Sequence, residues 1–214
     1  MARKKTAIDR RQVIIDGARE LFGRYGFEKT TVDDIARHTG IGKGSVYLEF
    51  KTKEDILIGI IDQFANQMHH YLDECVETAS PPYLDALGEM MYGICLRIYD
   101  TATSNIHTPE VMMLTHNKMR KEFSHHYEFK HSRLKALVKK AAKNGEISTS
   151  ASYESITHYI ELVTACLLPP YIRKEPEGKS AIPTRTELEQ DAKEVISILT
   201  NGIRAKYKKK KKLQ

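Results

Sequence analysis

The amino-acid sequence predicts an all-α protein. Apolar residues recur along most of the chain at the i, i+3, i+4 and i+7 spacing of amphipathic helices, and glycine or proline separates the patterns. No segment shows the strict alternation of apolar and polar residues that is typical of a half-buried strand, and no internal repeat is present. With 214 residues, the chain is long enough to bury about 70% of its unfolded surface without disulfides. We therefore expect a small N-terminal domain of three helices, followed by a larger helical domain.

The first helix is predicted by an apolar stripe and by a glycine that ends it. The stripe consists of Ile14, Ala18, Leu21, Phe22 and Tyr25. Gly26 is expected to close this helix, because glycine adopts positive φ without steric cost, and Phe27 then folds back onto it.

Residues 31–55 contain two short helical patterns separated by a glycine-bearing turn, which is a helix-turn-helix signature. Thr31 followed three residues later by Asp34 is a capping-box pattern, so a helix is expected to begin near Val32. Gly40 occupies the position where a left-handed residue would end that helix.

The second short helix is predicted over residues 43–50, with Val46 and Phe50 at i and i+4 as its buried side. The positions that mostly face outward are Ser45, Tyr47, Leu48 and Glu49. A short helix with exposed hydroxyl, phenol and ammonium groups suits the DNA major groove, which is about 12 Å wide and admits one α-helix. DNA recognition is therefore the leading hypothesis. The alternative is a helical hairpin with a solvated, charged surface.

Residues beside this helix favour contacts with phosphate groups. Gly44 lies near the helix N-terminus, where the backbone carries partial positive charge and a small residue permits close approach of a phosphate. Lys51 and Lys53 follow directly after the helix and add positive charge.

The sequence around these residues resembles the DNA-binding domain of TetR-family transcriptional regulators. The resemblance covers about residues 10–57 without a gap. It rests on Thr30-Thr31, Gly40-Ile41-Gly42-Lys43-Gly44-Ser45-Val46-Tyr47, Phe50 and Lys53-Glu54, together with Ala18, Leu21, Phe22, Gly26 and Phe27 upstream. Beyond this segment the resemblance is one of length and helical layout only.

The resemblance implies a homodimer of all-helical subunits that binds double-stranded DNA through its second and third helices. The remaining helices would form a ligand pocket and the subunit interface. Carried over by position, Thr31 would contact phosphate at the start of helix two, and Lys53 would contact phosphate at the start of helix four. The implied recognition surface consists of Lys43, Gly44, Ser45, Tyr47 and Leu48.

Two positions depart from the family pattern, which often has a small hydroxyl residue at position 42 and an aromatic residue or histidine at position 49. Gly42 has no hydroxyl group to cap the following helix. Glu49 would face DNA as an anion, unless it accepts a hydrogen bond from a cytosine amino group or turns aside. Base preference is therefore left open.

The net charge gives only weak support for DNA binding. The formal net charge is +6, and the lysine-rich tail accounts for all of it through Lys206, Lys208, Lys209, Lys210, Lys211 and Lys212. A basic arm precedes the first helix and contains Arg3, Lys4, Lys5, Arg10 and Arg11. Such an arm can follow a phosphate backbone or enter a minor groove, although solvated, disordered arms are commoner. The tail can likewise add sequence-independent affinity or serve only as a solubilising end.

The composition favours a soluble protein of a reducing cytoplasm. The cysteines at 75, 95 and 166 are odd in number and widely spaced, and no apolar signal-peptide core follows Met1. The longest apolar stretch spans residues 56–61, far short of the roughly 20 residues that a membrane-spanning helix needs. We expect no cofactor and no metal. The histidines at 125, 126 and 131 have no matching second ligand pair, so a solvated helix side is the expected interpretation.

We expect a DNA-binding domain over residues 1–55, a helical ligand-binding and dimerisation domain over residues 56–205, and a tail over residues 206–214. Helix four would link the two domains along the stripe Ile56, Ile60, Phe64 and Met68. After a break at Pro81-Pro82, an apolar stripe predicts a helix through Leu84, Leu87, Met91, Ile94 and Ile98, and Thr108-Pro109 marks the start of the next helix. Another stripe contains Phe123, Tyr127, Leu134, Val138 and Ala141 and ends at Asn144-Gly145, and the one after it contains Ile156, Ile160, Val163 and Leu167 and ends at Pro169-Pro170. Residues 171–187 are predicted to form a loop, and the last helix contains Leu188, Ala192, Val195, Leu199 and Ile203.

Apolar residues outside the main stripes of the last two helices predict a subunit interface. On the final helix these are Ile196 and Ile198, and on the preceding one they are Ala165, Cys166 and Leu168. A pair of helices from each subunit would then form a four-helix interface. The alternative is burial of both helices within one subunit.

Soft and amphipathic side chains in the second domain predict a pocket for a small-molecule effector, because methionine adapts to apolar shapes and His or Tyr can orient a polar atom. Most residues of this kind are ordinary core residues. The candidates for the pocket are Met91, Met113, His116, Met119, His158 and Tyr159.

These features favour a ligand-responsive transcriptional regulator, most simply a repressor that binds a palindromic operator as a homodimer and is released by a small molecule. One alternative is a ligand-independent or architectural DNA-binding dimer. A further alternative, with no local motif in its favour, is a helical-domain enzyme with Cys95 or Cys166 as nucleophile and His116 or His158 as base.

Overall fold

The computed structural model describes residues 9–104, 124–169 and 182–208. The helices are α1 (Arg10–Tyr25), α2 (Val32–Thr39), α3 (Lys43–Glu49), α4 (Lys53–Thr78), α5 (Tyr83–Ala102), α6 (Ser124–Lys143), α7 (Tyr153–Thr164) and α8 (Arg185–Lys206), and a short 3₁₀ turn, Ala165–Leu167, follows α7. The described residues contain no strand, so the predicted all-α class is confirmed. Among these helices, none combines the length and apolar character that crossing a membrane requires.

The backbone contacts divide the chain into two units, and the division falls after Asn66, within α4. The first unit contains residues 9–66 and 103–104 of the described chain, and the second contains residues 67–102, 124–169 and 182–208. Because α4 is one continuous helix, it contributes residues to both units. The sequence-based boundary at residue 55 lies at the start of this helix.

The first unit is a three-helix arrangement with the beginning of α4 packed onto it. Its buried core contains Ile14, Ile15, Ala18, Leu21, Phe22, Phe27, Ile35, Ala36, Val46, Phe50, Ile56 and Leu57. The rings of Phe22 and Phe27 meet edge to face with centroids 5.0 Å apart, which confirms that the chain folds back after Gly26. Tyr25 was expected to belong to the buried stripe, but it is 48% exposed because Phe22 already fills the last inward position before the turn.

The turn between α2 and α3 has the predicted local chemistry. Thr31 and Asp34 form the reciprocal capping box at the start of α2, and Gly40 ends that helix in the left-handed region at φ 70°. At the start of α3, Gly42 makes no side-chain capping hydrogen bond, as expected from the missing hydroxyl group.

The second unit buries a larger apolar core, to which α4 to α8 all contribute. Helix α5 packs against α6 and α8, and α6 packs against α7. A Cβ atom added at Gly88 would lie only 3.2 Å from Cγ2 of Ile196, so the small residue permits the close approach of α5 and α8.

Several expectations for the second unit were wrong, and one of them concerns Tyr127, which was expected in a buried stripe but is 42% exposed. The loop was expected to extend to residue 187, but α8 begins at Arg185, where Thr184 and Glu187 form a capping box. Val163 was expected in a buried stripe but is exposed, because Ile156 and Ile160 form the inward side of α7. Ile196 was assigned to a subunit interface but is buried in the core of its own unit, while Ile198 remains exposed.

Candidate nucleic-acid interface

Helix α3 is held by two buried side chains and presents its other side to solvent. Val46 and Phe50 are buried in the core of the first unit. On the opposite side Tyr47 is 46% exposed and Leu48 is 85% exposed. A leucine exposed to this extent contributes little to folding, and an apolar side chain on a helix that enters the major groove can contact a thymine methyl group.

The N-terminal end of α3 is open. Cβ atoms added at Gly42 or Gly44 would meet nothing within 4 Å, so packing within the chain does not require glycine at either position. The lack of side chains leaves the backbone at this helix N-terminus accessible, as close approach of a phosphate requires. Ser45, in the first turn, is half-buried.

Lys43 is paired within the chain. Its Nζ lies 2.7 Å from a carboxylate oxygen of Asp33 on α2, and both side chains are largely exposed. The hydrogen bond from Lys43 to Asp33 raises the pKa of Lys43 above its ordinary value. An exposed ion pair of this kind contributes little to stability, so a phosphate group can replace the carboxylate.

Thr31 uses its side chain in the cap of α2. Its Oγ1 accepts a hydrogen bond from the backbone N–H of Asp34 at 3.2 Å and donates to the Asp34 carboxylate at 2.6 Å. The hydrogen bond from the Thr31 hydroxyl, together with that from its backbone N–H, lowers the pKa of Asp34. The neighbouring Thr30 is buried and donates to the carbonyl of Gly26 at 2.8 Å, so its role is structural.

Lys53 and Lys51 differ in their surroundings. The Nζ of Lys53 donates to the carbonyl oxygen of Phe27 at 2.7 Å and lies 4.2 Å from the centroid of the Phe27 ring. Lys51 is exposed, as is Glu49 at the end of α3. An ammonium group has three donors, so the contact of Lys53 with Phe27 leaves capacity for a phosphate oxygen.

Arg11 has a role that the sequence analysis missed. Its sequence position predicts a place in the basic arm, but its Nη1 donates to the carbonyl oxygen of Glu49 at 3.1 Å, and its guanidinium carbon lies 4.2 Å from the centroid of the Phe50 ring. The contact joins α1 to the end of α3 across 38 positions of sequence. No local pattern could have revealed it.

Of the candidate pocket residues, the three that the structure describes do not lie together. Met91 is buried in the core of the second unit, whereas His158 and Tyr159 are exposed on α7. The reason is helical geometry, because Ile156, Thr157 and Ile160 take the inward side of α7. Met113, His116 and Met119 lie outside the described residues.

Two of the three histidines of α6, His126 and His131, do not lie on a solvated helix side, which corrects the expectation for them, whereas His125 is exposed. His126 Nδ1 lies 3.0 Å from Nε2 of His69 on α4, and His131 lies 2.9 Å from carboxylate oxygens of Glu154 and Glu161 on α7. Burial lowers the pKa of His69, and the neighbouring His126 lowers it further. Within residues 9–104, 124–169 and 182–208, no group of three or more His, Cys, Asp or Glu residues is arranged to hold a metal ion.

The second unit also exposes apolar side chains on its last two described helices. Leu162 is 62% exposed and Ile198 is 63% exposed, and Ala165 and Cys166 after α7 are exposed as well.

Cys95, a candidate nucleophile in the enzyme alternative, is buried. Burial raises the pKa of its thiol to about 12, so it is not a nucleophilic thiolate at neutral pH.

The fold and the exposed surface of α3 define the class of an all-α protein with an N-terminal helix-turn-helix domain. Residues 14–60 match the family model described as bacterial regulatory proteins, tetR family. The match covers most of α1, all of α2 and α3 and the start of α4, so it is the helix-turn-helix domain that resembles the TetR family.

Curated relatives match part of this chain. An uncharacterised HTH-type transcriptional regulator of Bacillus subtilis, YhgD, is 33% identical over 75 residues, which are 35% of this chain and 39% of the relative. The fatty acid metabolism regulator protein of Bacillus subtilis is 36% identical over 64 residues, which are 30% of this chain and 33% of the relative. The matches thus span less than half the length of these curated relatives.

Solved structures resemble the whole fold. A TetR/AcrR-family transcriptional regulator from Thermobifida fusca has a TM-score of 0.66 at 22% identity, over 91% of this chain and 98% of that one. FadR from Bacillus subtilis, solved in complex with stearoyl-CoA, has a TM-score of 0.61 at 20% identity, over 90% of this chain and 98% of that one. At these identities the likeness establishes the fold.

Proposed function

We propose that this protein is a ligand-responsive transcriptional repressor, which binds a palindromic operator as a homodimer and releases it when a small molecule binds the second unit. The observation that carries the proposal is the geometry of α3. Buried Val46 and Phe50 hold this helix while Tyr47 and Leu48 project into solvent, within the segment that matches the family model. As a DNA-binding regulator it would act in the cytoplasm.

In the proposed complex, α3 enters the major groove and α2 lies across the backbone. Tyr47, Leu48 and Ser45 contact base edges, whereas Lys43, Lys51 and Lys53 contact phosphates. Base contacts carry sequence preference, and phosphate contacts supply affinity that depends on salt. Gly44 admits a phosphate to the open N-terminal end of α3.

Dimerisation is supported by the exposed apolar side chains of the second unit. Leu162 on α7 and Ile198 on α8 are each more than half exposed. A pairing of α7 and α8 with the same helices of a second subunit would bury them around a two-fold axis. The two recognition helices would then enter successive major grooves, about 34–36 Å apart or a multiple of that spacing.

Release by an effector is supported by the continuity of α4 and by the named ligand of one fold neighbour, FadR with stearoyl-CoA. An effector that binds two states of the dimer unequally shifts their populations. The expected loss of operator affinity equals the coupling free energy, which is typically about 1–3 kcal/mol.

Selection of duplexes from a random DNA pool with the purified chain tests the proposal. We expect enrichment of a palindromic sequence whose half-sites are separated by one helical turn or a multiple of it. A thermal-shift screen with apolar and amphipathic compounds, followed by binding to the selected duplex, then tests release. A pool without enrichment at moderate salt, with and without compounds, contradicts operator recognition. Enrichment without any stabilising compound supports instead the ligand-independent dimer.

A further inference from the structure

Helix α3 has few internal means of fixing its own ends. It contains 7 residues, its N-cap residue Gly42 makes no side-chain hydrogen bond, and its last turn contains no basic residue. Isolated helices much shorter than about 12–15 residues are marginal in water. The position of α3 therefore depends on contacts from other elements.

Arg11 supplies such a contact at the C-terminal end of α3. The carbonyl groups of the last helical turn lack partners within the helix, and a cation near them is favourable. The carbonyl of Glu49, the last residue of α3, accepts a hydrogen bond from Nη1 of Arg11 at 3.1 Å. Arg11 lies in the first turn of α1, so the hydrogen bond connects the ends of two helices.

The same guanidinium group stacks on the residue that follows α3. Its central carbon lies 4.2 Å from the ring centroid of Phe50, which is buried and forms the C-cap. A planar guanidinium can donate from its edge while its face lies on an aromatic ring, and an ammonium group cannot reproduce both contacts. The shallow cleft around these groups is also lined by Lys51, Asp55 and Ile58.

We infer that Arg11 is a positioning residue for DNA recognition, which fixes the orientation of α3 by holding its C-terminal end against α1. The inference rests on the proposed DNA-binding function. Side chains of α3 reach base edges only in one orientation of the helix within the groove, whereas phosphate contacts tolerate small changes of orientation. Loss of the Arg11 contact therefore lowers discrimination between operator and other DNA more than it lowers affinity for DNA in general.

The first test needs no DNA. Arg11→Ala is compared with Arg10→Ala, which removes the same charge from the same turn of α1 at another exposed position. Hydrogen exchange of the amides of residues 46–50 should be about two- to fivefold faster in Arg11→Ala, the factor expected for a cation at a helix C-terminus. The rates in Arg10→Ala should match those of the unmodified chain. Equal rates in both variants overturn the inference, whatever the DNA result.

The second test measures binding to the selected operator duplex and to a scrambled duplex over a series of salt concentrations. In Arg11→Ala, operator affinity should fall by about two- to fivefold per subunit relative to Arg10→Ala, while affinity for the scrambled duplex matches that control. Arg11→Lys should restore affinity for the scrambled duplex without restoring discrimination between the operator and the scrambled duplex. A role in stability alone would lower the melting temperature and would weaken binding to both duplexes alike.

Two other outcomes of the binding experiment would each contradict the inference for a different reason. Equal losses on both duplexes, with a salt slope lower by about one, identify Arg11 as a direct phosphate contact and overturn the inference. If the unmodified chain does not discriminate between duplexes at all, the proposed function fails, and a role of Arg11 in recognition fails with it. The exchange experiment then still reports on the contact between α1 and α3, so the two failures are distinguishable.

Discussion

Lys43 on α3 and Asp33 on α2 form an ion pair, with the lysine Nζ 2.7 Å from a carboxylate oxygen of Asp33. Lys43, which is predicted to contact DNA, is therefore paired with a neighbouring carboxylate in the free chain. A phosphate group must compete with Asp33 for the same ammonium group. Asp33 also adds negative charge beside the surface that would approach the DNA backbone.

Removal of this carboxylate is expected to strengthen DNA binding without regard to sequence. In Asp33→Asn, Lys43 is released and a repulsive charge is lost, so affinity should rise on operator and scrambled duplexes alike. The salt dependence of binding should steepen by up to about one unit for each lysine released to a phosphate. Titrations at several salt concentrations measure both effects.

The matched control is Asp16→Asn, which removes an exposed carboxylate from α1 that pairs with Arg19. Its effect on affinity and salt slope should be smaller. Unchanged binding by Asp33→Asn, or an equal gain in the control, would show that Lys43 does not exchange Asp33 for phosphate.

Lys53→Ala should have two effects, because Lys53 contacts Phe27 as well as the predicted phosphate. Affinity should fall about equally on all duplexes, and the salt slope should fall by roughly one unit. The melting temperature should also fall, because the hydrogen bond to the Phe27 carbonyl and the contact with its ring are lost. Salt titrations and thermal unfolding measure the two effects separately.

Lys51→Ala is the control for this change, because Lys51 is exposed and close in sequence. It should leave the melting temperature unchanged. If Lys53→Ala lowers the melting temperature but leaves the salt slope as it was, Lys53 is a structural residue only.

Leu48→Ala is expected to change base preference and leave stability unchanged. The side chain is 85% exposed, so its truncation removes little buried surface. Loss of an apolar contact with a thymine methyl group should relax the preference at one position of each half-site. Repeated selection from the random pool gives the new preference, and Tyr127→Ala, which truncates an exposed aromatic residue of α6, is the control. An identical selected sequence for Leu48→Ala would exclude this residue from base contact.

Thr31→Ala should destabilise the first unit by about 1 kcal/mol, a typical value for loss of an N-cap hydroxyl. The effect should depend on pH because the hydroxyl donates to Asp34, whose pKa lies below its ordinary value. A carboxyl group with a lowered pKa adds stability above its unfolded pKa, about 3.9, and the contribution is lost as the pH falls through the folded value. The difference in unfolding free energy between Thr31→Ala and the unmodified chain should therefore shrink below about pH 3.9.

Denaturant unfolding at pH 7 and in the acid range provides the measurement. Thr78→Ala is the control, because the Thr78 hydroxyl donates to the carbonyl of Glu74 rather than to a carboxylate. A difference for Thr31→Ala that is constant with pH would mean that its hydroxyl does not stabilise the Asp34 anion.

The sequence predicted best those features that depend on neighbouring residues. The capping box of Thr31 and Asp34, the left-handed Gly40 and the buried pair of Val46 and Phe50 all follow from spacings of four or less, and all are present. These features determine where the short helices begin and end. They also determine which side of α3 is exposed.

Features that depend on packing between distant segments were not predictable. Arg11 and Glu49 are 38 positions apart, and His69 and His126 are 57 positions apart. Ile196 is buried beside Gly88 of α5, where an added Cβ atom would lie 3.2 Å from its Cγ2, and a helical period on α8 alone cannot reveal this neighbour. The sequence pattern of a helix shows which residues share a side, but packing against other helices determines which sides are buried.

Leu162→Glu should convert a dimer into monomers. Leu162 is 62% exposed although it is apolar, and Ile198 on α8 is similarly exposed. In a two-fold interface each substitution occurs twice, so two carboxylates would be buried near one another, which costs far more than the loss of apolar contact alone. Sedimentation equilibrium should show half the mass of the unmodified chain.

The control for this change is Tyr127→Glu, which places the same charge at an exposed aromatic residue of α6. It should remain a dimer. Binding to a palindromic site needs a pair of recognition helices, so Leu162→Glu should also lose most of its operator affinity. The melting temperature of its first unit should equal that of the unmodified chain. A Leu162→Glu chain that sediments as a dimer would place the subunit interface away from the exposed side of α7.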